Sequence, residues 1–232
     1  MELLKNILFI NLNERTDRLE HVTKEFNKMN LKAERVKGIK LENGALGCTL
    51  SHIKCLKLAK ERDYEYVFIC EDDIEFLNPQ VFLEKLNLFY EKDPSIYWNV
   101  LIVGGNIVPP YNKITDYCIR VSHSQTTTGY IVKKSFYDVL IDNFTESANK
   151  LISEPNNKMN YALDKYWIQL QKKYYFLMLI PPTVVQYASY SDIEERNVNY
   201  KNLMLDTEKE WFLKKQQQAK ERFLQKQSIF NL

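Results

Sequence analysis

Residues 66–76 read YVFICEDDIEF. Tyr66–Cys70 is an apolar run rich in strand-forming residues, long enough for one buried strand and too short for a helix of its own. It delivers Glu71, Asp72 and Asp73 together at its carboxyl end. Strands without polar alternation belong to sheets covered on both faces, and in open α/β sheets ligands sit beyond the carboxyl ends of the strands. Three adjacent carboxylates repel one another, so something cationic should offset them. Mg2+ or Mn2+ takes such oxygen ligands, often together with substrate phosphates. A solvated acidic turn is the other reading of the same residues.

On either side of this strand the pattern alternates. Asn6–Leu12 is a continuous apolar strand, and Arg15–Met29 carries Leu19, Val22, Phe26 and Met29 at helical spacing. Ala33–Ile39 reads as a second strand, and Gly47–Arg62 as a helix capped by Thr49 or a neighbour. Beyond the acidic cluster, Val81–Tyr90, Ser135–Phe144 and Tyr161–Lys172 read as helices. Asn99–Val103 and Gly129–Val132 read as strands, and the apolar Tyr174–Ile180 follows the last of these helices. Strand–helix alternation at this spacing predicts an α/β fold with a mainly parallel central sheet flanked by helices.

Composition narrows the function classes. The chain has 232 residues, 45% of them hydrophobic and 27% charged, which suits one globular domain with a tail. The net charge is +2, without the basic surplus or blocks of a nucleic-acid binder. The longest apolar run ends at the prolines after Ile180, far short of a bilayer span. The N-terminus reads as a first strand rather than a signal peptide. Cys48, Cys55, Cys70 and Cys118 have no C-x-x-C spacing, which suggests neither a zinc site nor a redox pair, and read as buried thiols of a reducing compartment. A cytoplasmic location is therefore expected.

Two further segments carry candidate chemistry. In GALGCTLSHIK (44–54), glycines precede a helix start, and free N–H groups there favour an anion such as a diphosphate. His52 lies on a stripe with Cys48, Cys55 and Ala59, which equally describes a hydrogen-bonded core histidine. In NLNERTDR (11–18), Arg15 and Arg18 are either exposed helix-start charges or ligands for a phosphate or base.

Taken in order, FINLNERTDR (9–18), GCTLSHIKCLK (47–57), VFICEDDIEF (67–76), TTTGYIVKKSF (126–136) and PPTVVQYASYSDIEER (181–196) resemble glycosyltransferase family 25. That family includes bacterial lipooligosaccharide galactosyltransferases and the collagen galactosyltransferase domain. The resemblance spans Asn6 to Arg196. It implies a GT-A-like domain over residues 1–205, a UDP-linked sugar donor and a Mn2+ (or Mg2+) ion. Asp73 would bind the metal, with Glu71 or Asp72 reaching ribose or metal-bound water. Asn11, Arg15 and Arg18 would lie near the nucleotide, as would Gly47, Ser51 and His52 of the helix motif. Gly129 and Gln186 would line the donor and acceptor cleft. No histidine follows Gly129, so Gln186, Ser191, Asp192 or water would take the place of a late histidine ligand.

The expected reaction is transfer of galactose or glucose from a UDP-sugar to a hydroxyl of a glycan, glycolipid or protein, as in lipopolysaccharide biosynthesis. Asp164, in NYALDKYW (160–167), is the candidate base if configuration inverts. A plain helix-start carboxylate is the alternative for that residue. A nucleotidyltransferase and a non-catalytic sugar- or protein-binding relative are the competing functions. Residues 206–232 read as a separate amphipathic helical extension, basic after Trp211. It either packs on the domain or makes peripheral contact with an anionic membrane.

Overall fold

The computed structural model describes residues 1–230, with side chains described through Arg222. The first half runs β1 (Ile7–Asn11), α1 (Thr16–Asn27), β2 (Glu34–Lys37), α2 (Gly44–Glu61), β3 (Tyr66–Glu71), β4 (Ile74–Phe76), α3 (Pro79–Asn87) and β5 (Val100–Ile107). A hairpin, β6 (Tyr111–Thr115) and β7 (Cys118–Val121), leads into β8 (Ser124–Lys133) and α4 (Tyr137–Ser153). Three short helices follow: α5 (Lys158–Tyr161), α6 (Leu163–Tyr166) and α7 (Ile168–Lys173). Then come β9 (Phe176–Leu179), β10 (Val184–Gln186), β11 (Ser189–Ser191), β12 (Arg196–Val198), α8 (Lys201–Leu205) and α9 (Glu210–Phe230).

Eight strands form the main sheet in the order β2-β1-β3-β8-β5-β9-β7-β6. β2, β1 and β3 pair in parallel, as do β5 and β9. β8 is wedged antiparallel between β3 and β5, and β7 runs against β9. All strands except β8 and β7 therefore share one direction. The sheet is mainly parallel in direction, with mixed pairing. This is the α/β layout with flanking helices that the GT-A-like expectation requires.

Period-two alternation sends each central strand's side chains to two cores. Leu8, Val67, Ile69, Val100, Ile102, Tyr130, Val132 and Phe176 pack under α2, α4 and Trp167. Ile7, Phe9, Phe68, Leu101, Ile131 and Leu177 pack against Val22 and Phe26 of α1 and Phe82 and Leu86 of α3. Each fully buried side chain of this size contributes about 1.5–3 kcal/mol.

Two helix boundaries differ from the sequence expectation. α2 starts at Gly44, not Gly47, because Asn43 is the cap and its Oδ1 accepts from Leu46 N at 3.2 Å. Thr49 lies inside the helix and donates to Ala45 O at 2.8 Å. The stretch expected as one helix over 161–172 is broken where Ala162 adopts ψ 144°, and Asp164 falls in the first turn of α6. The C-terminal extension is helical, with Trp211 and Leu213 exposed at its start. The later apolar residues of its sequence, Phe223, Leu224, Ile229, Phe230 and Leu232, lie outside the described side chains. Among the described residues no helix is long and apolar enough to cross a membrane.

Candidate functional site

The parallel pairing of β1 with β3 sets Ile10 opposite Glu71, so the chain just beyond each strand meets its neighbour. Asn11 Nδ2 donates to Asp72 Oδ2 at 2.7 Å. From the start of α1, Arg18 Nη1 reaches Asp72 Oδ1 and Asp73 Oδ2, both at 3.0 Å, while Nη2 bonds Ser189 Oγ at 2.9 Å and Tyr190 O at 3.0 Å. β10 pairs with β4 and brings in Gln186, whose Nε2 donates to Asp73 Oδ2 at 2.8 Å. The cation that the acidic cluster needs is thus supplied in part by the chain's own Arg18.

The compensation is incomplete. Three carboxylates against one guanidinium leave two negative charges uncompensated among Glu71, Asp72, Asp73 and Arg18. Burial pushes the Asp73 carboxyl up to about 7, reinforced by the charge of Glu71 and opposed by Arg18. Asp72 is also raised by burial, with Arg18 and Asn11 pulling the other way. Asp73 Oδ1 is buried without a hydrogen-bond partner. Both Asp72 oxygens are taken, so Asp73 Oδ1 and Glu71 are the donors left for a hard divalent ion. On charge and on donor type, the residues fit a Mn2+ or Mg2+ ion.

Glu71 faces the α2 side. Its Oε1 accepts from Thr127 Oγ1 at 2.7 Å, and His52 Nε2 stands 3.6 Å away. Burial works to raise the Glu71 pKa, but His52, Thr127 and Arg18 together hold it below the usual glutamate value. His52 is completely buried, its Nδ1 3.1 Å from Tyr130 Oη and its ring stacked on Tyr130.

A cavity of about 470 Å³ opens beside this cluster, lined by Glu71, Gln186 and Asp164 together with Cys48, Asn106 and Thr127. Asp164 Oδ2 accepts from Thr126 N at 3.1 Å, and Lys165 Nζ lies 3.7 Å away. Burial raises the Asp164 pKa, with Lys165 opposing. Thr126 holds a left-handed φ of 66°, which turns its N–H toward that carboxylate. Sequence reasoning missed Cys48, Asn106, Thr127, Lys158 and Lys165 on the cavity wall. The Thr run before Gly129 was the available signal for Thr127; the two lysines carry none in so lysine-rich a chain.

Other expected residues serve the fold. Ser51 donates to Gly47 O at 2.7 Å and accepts from Ile39 N at 2.8 Å, so both its hydrogen-bonding roles are used internally. A Cβ on Gly47 would sit 2.4 Å from Ile39 O, so this glycine admits the incoming chain against α2. It lies within the helix, past the free N–H groups of the first turn, and gives no anion cradle. Gly129 packs beneath Ile74 and Phe68, not in the cavity wall. Arg15 is paired with Asp17 at 2.9 Å and Asp192 at 2.5 Å, and Arg18 with Asp72 and Asp73. Both guanidiniums are committed to the chain's own carboxylates, and Asp192 is committed to Arg15.

Strand ends that gather buried carboxylates beside a cavity stand where α/β sheets hold their ligands. The family model for glycosyltransferase family 25, described as an LPS biosynthesis protein, matches residues 38–167, more than half of the chain. The chain belongs to glycosyltransferase family 25. No curated protein matches it. Among solved structures, a glycosyltransferase involved in glycosylation of the major capsid of PBCV-1 is similar at 11% identity and TM-score 0.48, over 82% of this chain and 95% of that one. A protein from STIV is similar at 12% identity and TM-score 0.47, over 83% and 93%. A Drosophila β-1,4-galactosyltransferase 7 mutant in complex with manganese, UDP-Gal and xylobiose is similar at 12% identity and TM-score 0.38, over 88% and 74%. The family assignment rests on the sequence match alone.

Proposed function

We propose that this glycosyltransferase moves a hexose, galactose or glucose, from a UDP-sugar to a hydroxyl of a glycan, glycolipid or protein acceptor, with inversion. The observation that carries the reading is that Glu71, Gln186 and Asp164 share one cavity wall. Glu71 and Asp73 would hold a Mn2+ or Mg2+ ion, which when bound neutralises charge on the departing diphosphate. Gln186 and Arg18 fix Asp73 through its Oδ2 and leave Oδ1 for that role. Asp164 takes the acceptor proton. Its raised pKa makes it a stronger base than an exposed aspartate, and Thr126 N–H fixes its orientation. Asn11 and Arg18 act on the nucleotide side by holding Asp72 in place.

A panel of UDP-sugars incubated with Mn2+ tests the reading. Release of UDP with one hexose donor, dependent on added metal, is the expected result. Release of pyrophosphate from a nucleoside triphosphate would indicate nucleotidyl transfer instead, and no turnover of any donor would indicate a binding protein. The exposed Trp211 and Leu213 support a lesser part of the reading, contact of α9 with an anionic bilayer. Failure of the full chain to co-sediment with anionic vesicles at low salt would remove that part.

A further inference from the structure

Cys48 and His52 are four residues apart on α2 and therefore lie on one face of the helix. Glu71, from the end of β3, meets them there. One ligand atom from each of the three residues lies within 4.8 Å of the other two. His52 Nε2 is completely buried, points into this group and has no hydrogen-bond partner. Leaving such a buried nitrogen unsatisfied is unfavourable. Its 3.6 Å separation from Glu71 Oε1 is too long for a hydrogen bond. It is close to the roughly 3.4 Å that separates two ligand atoms on a tetrahedral Zn2+, given metal–ligand bonds of about 2.0–2.2 Å.

The surroundings are those of a metal site. In the tautomer whose Nδ1–H donates to Tyr130 Oη, His52 presents the Nε2 lone pair to Cys48 and Glu71. Thr127 orients the carboxylate through Oε1. Outer partners of this kind fix ligand rings and carboxylates around bound metals. Cys48 and Glu71 both line the cavity, so an ion has a route in and a water can complete its coordination. A thiolate ligand selects Zn2+ over the hard ions Mg2+ and Mn2+.

We propose that Cys48, His52 and Glu71 form a binding site for Zn2+, which shares Glu71 with the hard-cation site at Asp73 and differs from it in its thiolate and imidazole ligands. The site does not rest on the donor reading. On binding, the Cys48 S–H bond breaks, an S–Zn bond forms, and the proton leaves to the buffer.

The full-length protein, stripped with chelator, would be titrated with Zn2+ by calorimetry in buffers of different ionisation enthalpy, and with Co2+ by absorption. One ion per chain, about one proton released and a thiolate-to-Co2+ charge-transfer band are expected. The band should vanish in Cys48→Ala and persist in Asp73→Asn, which removes a hard-cation ligand that the Zn2+ site does not use. Should Cys48→Ala fail to fold, alkylation of the wild-type chain mapped by mass spectrometry decides, because Zn2+ must protect Cys48. Absence of stoichiometric Zn2+ binding, a Co2+ spectrum lacking the thiolate band, or unchanged Cys48 labelling with Zn2+ would each overturn the site.

Discussion

Replacing Asp73 with Asn should stabilise the metal-free protein at neutral and alkaline pH. In the unfolded chain the carboxyl ionises at the ordinary 3.8, whereas in the fold burial and Glu71 hold its proton to about 7. Between those values the native state binds more protons than the unfolded state, so unfolding free energy falls as pH rises. Below 3.8 both states are protonated and nothing is lost; above 7 the full cost is present. At 1.36 kcal/mol per pH unit the gap corresponds to about 4 kcal/mol. Asn keeps a carbonyl for Arg18 and Gln186 but cannot ionise, so the variant lacks this slope. For a chain of this length the difference at pH 8 is on the order of 10 °C in Tm. Urea denaturation in chelator, from about pH 4 to pH 8, should show wild type losing stability relative to Asp73→Asn as pH rises. Mn2+ should raise wild type and leave the variant unmoved, because an ion bound only to the native state stabilises it by mass action. Parallel stability curves for the two proteins would refute the reasoning, because an uncompensated buried charge must produce the slope.

Asp164→Asn should lower kcat for UDP release by about a hundredfold or more, with donor affinity by calorimetry unchanged, as loss of a general base requires. Ser51→Ala should cost about 1–3 kcal/mol in denaturation through the unpaired Ile39 N–H. Its KM for donor should not move, whereas a diphosphate ligand would raise it. Gly47→Ala should destabilise by about 1–3 kcal/mol despite the better helix propensity of alanine, because the Cβ meets Ile39 O. Equal or higher stability would show that the chain before α2 can yield.

The strands were legible because their burial is two-sided. Asn6–Leu12 and Tyr66–Cys70 are apolar runs without regular alternation, and they fall on the central strands β1 and β3. The acidic cluster could be placed for the same reason, since it ends a buried strand, whereas Asp164 stands out through the family resemblance. The β6–β7 hairpin escaped notice because Tyr111–Thr115 is a largely exposed edge strand without an apolar pattern. The reversal of β8 left no trace, because a strand buried on both faces reads the same in either direction. The helix motif misled for a different reason. Gly47 and Ser51 both meet the chain at Ile39, and sequence does not distinguish a glycine that admits backbone from one that admits a phosphate.

The wedge position of β8 governs the order in which the chain can fold. β3 and β5 have no edge in common, and both hydrogen-bond to a strand that begins at Ser124. A growing chain that has emerged only as far as Val121 holds β2, β1 and β3 as one ribbon. Its exposed edge at β3 has no partner, and β5 cannot close it. Unpaired apolar edges of this kind template association with other chains. The nascent protein is therefore vulnerable until about Lys133 clears the ribosome, and loop closure over this separation makes the step slow. Arrested chains ending before and after β8 should differ sharply in protease resistance, with protection arriving only once β8 has been inserted.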